Sequence, residues 1–297
     1  MARPAMTNAW TLYLAFLGLL VSLPNALPAA AAAACDLAVG RTGVVARVID
    51  GETLGLEDGS EVKLLGVLAP TAPAWWKQVR VWPSAEATSR GLADLVEGKQ
   101  IELKFDARQE DRRDRWLAQI FVTDGKGERI WVQSRLIENG LVRAHAYSDN
   151  RACQRQLQTL EAAAREGAKG LWRRRAYRVV DATRPETLKP RVQTFQIVEG
   201  KVVDVGRTSG WTFLNFGEDW KQDFTIAIAA KHAKAFAESD VALDGLEGKR
   251  VRVRGWIERW NGPAIKVTHP EQIEVLDEPA SPASGQEKTP AREAPGL

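Results

Sequence analysis

Between residues 44 and 123 apolar and polar side chains alternate with a period of two in five short runs. These are VVARVID (44–50), TLGLED (53–58), EVKLLGV (61–67), QIELKFD (100–106) and WLAQIFVT (116–123). Such alternation marks strands with one face turned inward. The run SAEATSRGLADLV (84–96) has a helical period instead, with Ala85, Leu92 and Val96 at helix-compatible spacing. Five strands with a helix between the third and fourth is the chain order of an OB-type barrel. Two more helices are expected, at 132–140, which stops at Gly140, and at 150–167. In the latter Asn150 suits an N-cap, and Cys153, Leu157, Leu160 and Ala164 share one face.

The stretch DATRPETLKP (181–190), with two prolines among polar residues, reads as a linker. Strand patterns resume at 194–205, 211–217, 223–229, 249–260 and 272–276, again with a short helical run (231–239) between the third and fourth. The expected fold is mainly β with helices: an OB barrel over 35–180, then a smaller OB-like barrel over 191–277. The proline-rich end, 278–297, has almost no large apolar residues and is expected to be disordered.

Composition refines this picture at the N-terminus. Overall, 44% hydrophobic and 27% charged residues over 297 positions describe an ordinary globular protein. Residues 1–34 differ: Arg3 precedes an apolar run (9–23) and an alanine stretch (30–34), the order of a secretory signal peptide. Export to a periplasm or the medium follows, with no transmembrane anchor after cleavage. The run falls short of the roughly 20 residues that cross a bilayer. Lipid attachment at Cys35 is a second reading of AAAC (32–35), which lacks the branched apolar residue usual three positions before the cysteine. Cys35 and Cys153 are the only cysteines, and an oxidising compartment favours a disulfide between them over two free thiols. With no CxxC and with His145, His232 and His269 scattered, no zinc site is expected. Residues 35–180 carry 24 Lys+Arg against 20 Asp+Glu, and 181–297 carry 16 against 18, so only the first region leans toward anions.

The first region resembles the staphylococcal nuclease-like (thermonuclease, TNase-like) family over about 44–172. The resemblance rests on VIDGET, VKLLGVLAP, DRRDRWLA and the closing EGAKGLW (166–172), in that order. The second resembles the OB-like extension of bacterial relatives through FLNFG and VTHPEQIEVL. In active members two carboxylates and a backbone carbonyl hold calcium, a Glu activates water, and two arginines balance charge on the phosphorane. Calcium is a hard cation wanting several oxygens, and the guanidinium fork matches phosphate oxygens in pairs. The resemblance places the first metal carboxylate on Glu52, with Asp50 nearby, and the carbonyl ligand on Ala69. The second carboxylate falls on Leu68 and the general base on Thr71. The two arginines become Lys63 and Arg115. Losing a ligand and a base together implies a barrel kept as a scaffold, with no cofactor, or calcium if catalysis survives. Asp111 and Asp114 beside Arg115 are the candidates for rescue; the plainer reading pairs them with Arg112 and Arg113 on an exposed loop.

Three features carry binding expectations. APAWWKQVRVWPS (72–84) interleaves Trp75, Trp76 and Trp82 with Lys77 and Arg80, a mixture suited to stacking the bases of single-stranded nucleic acid, and equally to docking on a neighbouring element. Arg173, Arg174 and Arg175 follow the last helix, where they either meet phosphates or solvate a helix end. Arg250, Arg252 and Arg254 alternate on one strand face as a basic stripe. Together these point to an exported nucleic-acid or polyanion binding module with weak or no hydrolysis. The alternatives are an active calcium-dependent phosphodiesterase, and an envelope module that binds a protein.

Overall fold

A computed structural model describes residues 35–72, 76 and 81–276, so the signal peptide and the tail expected at the two ends lie outside the described residues. The first barrel contains β1 (Val39–Asp50), β2 (Thr53–Leu56), β3 (Glu61–Leu64), β4 (Val67–Leu68), β5 (Gln100–Glu110), β6 (Trp116–Thr123), β7 (Arg129–Trp131) and β8 (Arg143–Ala144). Its main sheet runs β3-β2-β1-β5-β6, and β3 also pairs with β6 in parallel, Lys63 against Leu117, which closes the ring. The β2–β3 turn is set by Asp58, whose Oδ1 accepts the Ser60 N–H at 2.9 Å, and by Gly59 at φ 84°.

Three helices pack on this barrel: α1 (Pro83–Val96), α2 (Val132–Glu138) and α3 (Gln154–Glu166). Pro83 opens α1, where its missing N–H is no loss. The buried face of α1 is Ser84, Thr88, Leu92 and Val96, not Ala85, because Thr88 donates to the Ser84 and Leu141 carbonyls and so turns inward. Helix α3 begins at Gln154, later than expected. Cys153 before it is left-handed (φ 66°), and Asn150 is not a cap but a clamp on Arg108, accepting its N–H and donating to its carbonyl, each at 2.8 Å. Cys35 and Cys153 form a disulfide with Cα atoms 5.3 Å apart, tying the start of the barrel to the start of α3. The glycine after α2 and the Gly of KGLW are needed for contact between backbones: a Cβ on Gly140 would lie 2.3 Å from the Lys169 carbonyl oxygen, and one on Gly170 2.3 Å from that of Gly140.

The stretch 181–190 is not a free linker. Strand β9 (Val180–Asp181) adds to the second sheet in parallel, and Pro185 opens a short helix, α4 (Pro185–Leu188). Ala182 and Leu188 are buried in the second core. Small and apolar residues among the polar ones anchor the segment, which its prolines alone did not reveal. Beyond it come β10 (Phe195–Lys201), β11 (Asp204–Arg207), β12 (Trp211–Asn215), β13 (Thr225–Ala229), the short helix α5 (Ala233–Ala237), β14 (Arg250–Trp260), β15 (Gly262–Val267) and β16 (Ile273–Leu276). The sheet order β11-β12-β13-β15-β14-β10 closes because β10 and β11 are halves of one bent strand. At the bend the Val202 N–H donates to Lys249 on one side and the Val203 N–H to Asn215 on the other. As in the first barrel, the third and last barrel strands, β13 and β15, pair in parallel.

Both barrels belong to one compact unit. Between them lies a small apolar cluster of Ala164, Trp172, Phe195 and Ile197, with Leu68, Tyr177 and Val179 packed against it. The expected basic stripe on β14 is an ionic network that runs from the surface into the junction. Arg250 and Arg252 pair with Glu199, and Arg252 and Arg254 pair with Glu274. Arg254 is 2% exposed and reaches Glu161 of α3 at 2.8 Å. Alternation correctly set these arginines on one face; acids from β10, β16 and α3 pair with all three, and burial deepens from exposed Arg250 through half-buried Arg252 to Arg254.

Candidate functional site

The β1–β2 turn and β3 bring Glu52 and Lys63 together, since Thr53 and Lys63 are directly opposite in the β2–β3 ladder. Lys63 Nζ donates to Glu52 Oε1 at 2.7 Å, and the Ala69 N–H donates to Glu52 Oε2 at 2.9 Å. Both side chains of this pair are 15% exposed. Burial alone would lower the Lys63 pKa, but the Glu52 carboxylate more than reverses this and holds it above the usual lysine value. Asp50 accepts the Glu52 N–H at 2.8 Å across Gly51, fixing the turn. A Cβ on Gly51 would meet Thr88 Cγ2 at 2.6 Å, so the turn is pressed against α1.

Arg115 stands at the entrance of β6 and is chelated. Its Nε and Nη2 donate to Asp111 Oδ2 at 2.9 and 2.6 Å, while Asp111 Oδ1 accepts the N–H groups of Arg113 and Arg115. Burial raises the Asp111 pKa less than these donors, Arg115 foremost, lower it. The expectation that Asp111 pairs with the side chains of Arg112 and Arg113 is therefore corrected: the tight turn, with Asp114 at φ 58°, folds the carboxylate back onto Arg115.

Leu68 on β4 packs against the cluster between the barrels, and Thr71 is exposed on the rim of a groove of about 580 Å³ bounded by Asp50, Glu52, Ala85, Glu86 and Arg90. These residues do not fit a calcium ion. The one carboxylate in place has each oxygen engaged by a protein donor, position 68 presents methyl groups to an apolar neighbourhood, and a hard cation wants six or more oxygens, by the usual count of about 6–8. Among the described residues no three His, Cys, Asp or Glu side chains converge to hold a metal ion.

Trp75, Lys77 and Arg80 lie outside the described residues. Trp76 is described: its ring meets that of Trp82 edge to face at 4.8 Å. Trp82 Nε1 lies 3.4 Å from the Tyr177 hydroxyl, so the tryptophans abut the segment carrying Arg173, Arg174 and Arg175. That segment is two 3₁₀ turns, Gly170–Arg173 and Arg175–Tyr177, with the three arginines and Arg178 exposed. Arg173 donates through Nε to the Ala168 carbonyl, and among the described residues none of the four forms an ion pair. The Arg191 guanidinium is close enough that Arg175, after burial, lowers its pKa, a sign of concentrated positive charge. Sequence reasoning missed Tyr177 and Arg191. The tyrosine inside RRRAYR was the available signal; nothing local marks Arg191.

No helix among the described residues is long and apolar enough to cross a membrane. Residues 61–174 match the family model described as staphylococcal nuclease homologue, a span running from β3 through the first 3₁₀ turn. No curated protein matches the chain.

Proposed function

From a first barrel that is a staphylococcal nuclease-like domain, we propose an exported module that binds nucleic acid, or a similar polyanion, without appreciable hydrolysis. The reading rests on one contrast. In the nuclease site the charges neutralise each other, Glu52 with Lys63 and Asp111 with Arg115, whereas the arginines of the 173–178 turn have no acidic partners among the described residues and share their segment with Tyr177, which meets Trp82 and through it Trp76. Neutralised pairs neither seat a divalent ion nor grip a phosphorane. Guanidinium groups without acidic partners, on a segment that also carries aromatic rings, suit a phosphate chain whose bases can stack. Thr71 supplies no basicity near neutral pH, and general-base help alone is worth roughly 10²–10⁴ in rate. Export is supported by the Cys35–Cys153 disulfide, a bond that persists in oxidising compartments.

The test is fluorescence anisotropy of a labelled single-stranded oligonucleotide over a salt series. Binding should weaken with a log–log slope that falls by about 2 when Arg173, Arg174 and Arg175 are changed to Ala, since each lost phosphate contact removes about 0.7 for single strands. An unchanged slope would move the reading to the envelope protein partner.

A further inference from the structure

The second barrel carries a recess that the reading above does not use. Strand β12 presents Trp211 and Phe213 on one face, and Trp260, from the end of β14, meets both edge to face, with centroids 4.5 and 5.8 Å away. Phe213, Trp260 and, from the β12–β13 loop, Trp220 wall a pocket of about 260 Å³, with Asn215, Thr225 and Asn261 among its polar lining. That loop is fixed. Asp223 accepts the Asp219 N–H at 2.9 Å, and Asp219 accepts from the Lys221 N–H and the Gln222 amide at 3.0 and 2.9 Å. Trp220 is nonetheless 54% exposed, an indole held out over the recess. Asn215 is likewise oriented: its Oδ1 takes the Thr225 hydroxyl at 3.2 Å and its Nδ2 gives to Asp204 at 3.0 Å. The recess is smaller than the roughly 300–1,000 Å³ of sites for drug-sized ligands and matches one ring with its substituents.

Charge decides what kind of ring. No Lys, Arg, Asp or Glu lines the pocket. Of the cations near it, Lys266, over the Trp260 ring, pairs with Glu258 at 2.6 Å and Arg207 pairs with Asp244, while Lys221 lies over the Trp220 ring, 5.4 Å from its centroid, with no acidic partner among the described residues. A phosphate chain would find no guanidinium in the lining and a single ammonium, Lys221, at its edge, so counterion release, its main source of affinity, would be small. Aromatic faces with neutral amide and hydroxyl groups serve a ligand that is apolar on its ring faces and rich in hydroxyls at its edge. We infer that this face of the second barrel is a binding site for a neutral saccharide, one pyranose ring seated between Trp260 and Trp220 with its hydroxyls toward Asn215, Thr225 and Asn261. OB barrels serve oligosaccharides as well as oligonucleotides on the surface centred on their second and third strands, which are β12 and β13 here.

The experiment is saturation-transfer NMR on the purified protein with the neutral trisaccharides of glucose and of N-acetylglucosamine, and with adenosine and cytidine alongside. Saturable sugar binding is expected, unchanged between about 50 and 500 mM NaCl. It should weaken about tenfold or more in Trp260→Ala and in Trp220→Ala, a loss of about 1.4 kcal/mol or more. Because Trp220 is exposed, that variant should melt like the parent, so lost binding cannot be assigned to unfolding. The triple Arg173, Arg174, Arg175 variant should bind sugar normally, which keeps this result separate from the nucleic-acid reading. Absence of saturable binding to either trisaccharide, preferred binding of the nucleosides, or full affinity in Trp220→Ala would overturn the assignment.

Discussion

Replacing Arg254 with Met probes how the two barrels are joined. Arg254 lies 2% exposed, and its Nη1 donates to Glu161 at 2.8 Å and to the Ala144 carbonyl at 3.0 Å, while Nη2 meets Glu274. Burial by itself would lower the Arg254 pKa, but Glu161 and Glu274 hold it above the usual value, so the guanidinium stays charged. Met fills much of the volume and leaves Glu161, wholly buried, with only Arg165 at 3.4 Å as a counter-ion. Removing one member of a buried pair costs about 3–5 kcal/mol, mostly from the uncompensated charge that remains. Glu161→Gln keeps an acceptor for the Ala144 N–H, now at 2.7 Å from Oε1, while removing that charge. The double variant should therefore recover about 2 kcal/mol or more of the single loss. Urea unfolding followed by tryptophan fluorescence measures both, and Arg254→Met should also split the transition, because the junction no longer couples the barrels. A loss under about 1 kcal/mol, with one unbroken transition, would refute the view that this ion pair is buried and couples the two cores.

Acid should weaken the same junction. Burial first, then neighbouring charges, pushes His145 down to about 3 and His269 down to about 4, and the Nε2 of each lacks a partner. Both remain neutral in the folded chain, whereas the unfolded chain protonates near pH 6.5, so their contribution is complete above that pH and is lost as pH falls. At pH 5 each should cost about 2 kcal/mol; a urea midpoint unchanged between pH 7.5 and 5 contradicts this, and His145→Phe should remove about half the loss. The disulfide closes a loop of sequence separation 118, so paired Cys→Ser changes should destabilise by about 4–5 kcal/mol, read as a lower melting temperature that reductant no longer affects. Leu68→Asp should not create a calcium site; set among Trp172, Phe195 and Ile197, it should lower stability by about 2–4 kcal/mol with no calcium-dependent rise in melting temperature.

The first barrel's order was legible because strand alternation and an interrupting helix are local patterns. In the second, the strand expected to close the ring, 272–276, is β16, which pairs only with β14, and the closing strand is β15 (Gly262–Val267), whose apolar run starting at Gly262 and Pro263 shows no alternation. The resemblance set Leu68 and Thr71 at the places of the family's acids, an assignment that rests on the sequence motif alone. What covers a polar face was not legible. Arg250, Arg252 and Arg254 alternate as solvent-facing residues would, yet their partners come from Glu199, Glu274 and Glu161, up to 93 residues away. Asn150 had the chemistry of a helix cap and instead clamps Arg108, because α3 starts only at Gln154, after the left-handed, disulfide-bonded Cys153. The resemblance reads Leu68 as a lost ligand; in the fold it is a packing residue between the barrels, a role invisible until Phe195 and Ile197 arrive from the second domain.

The central claim, that the nuclease-like site is closed by its own ion pairs, is tested most directly by release of acid-soluble nucleotides from single-stranded DNA by the purified protein with and without calcium. The account expects no calcium-dependent release at any protein concentration that saturates binding. Calcium-dependent release that disappears in both Glu52→Gln and Arg115→Ala would contradict it.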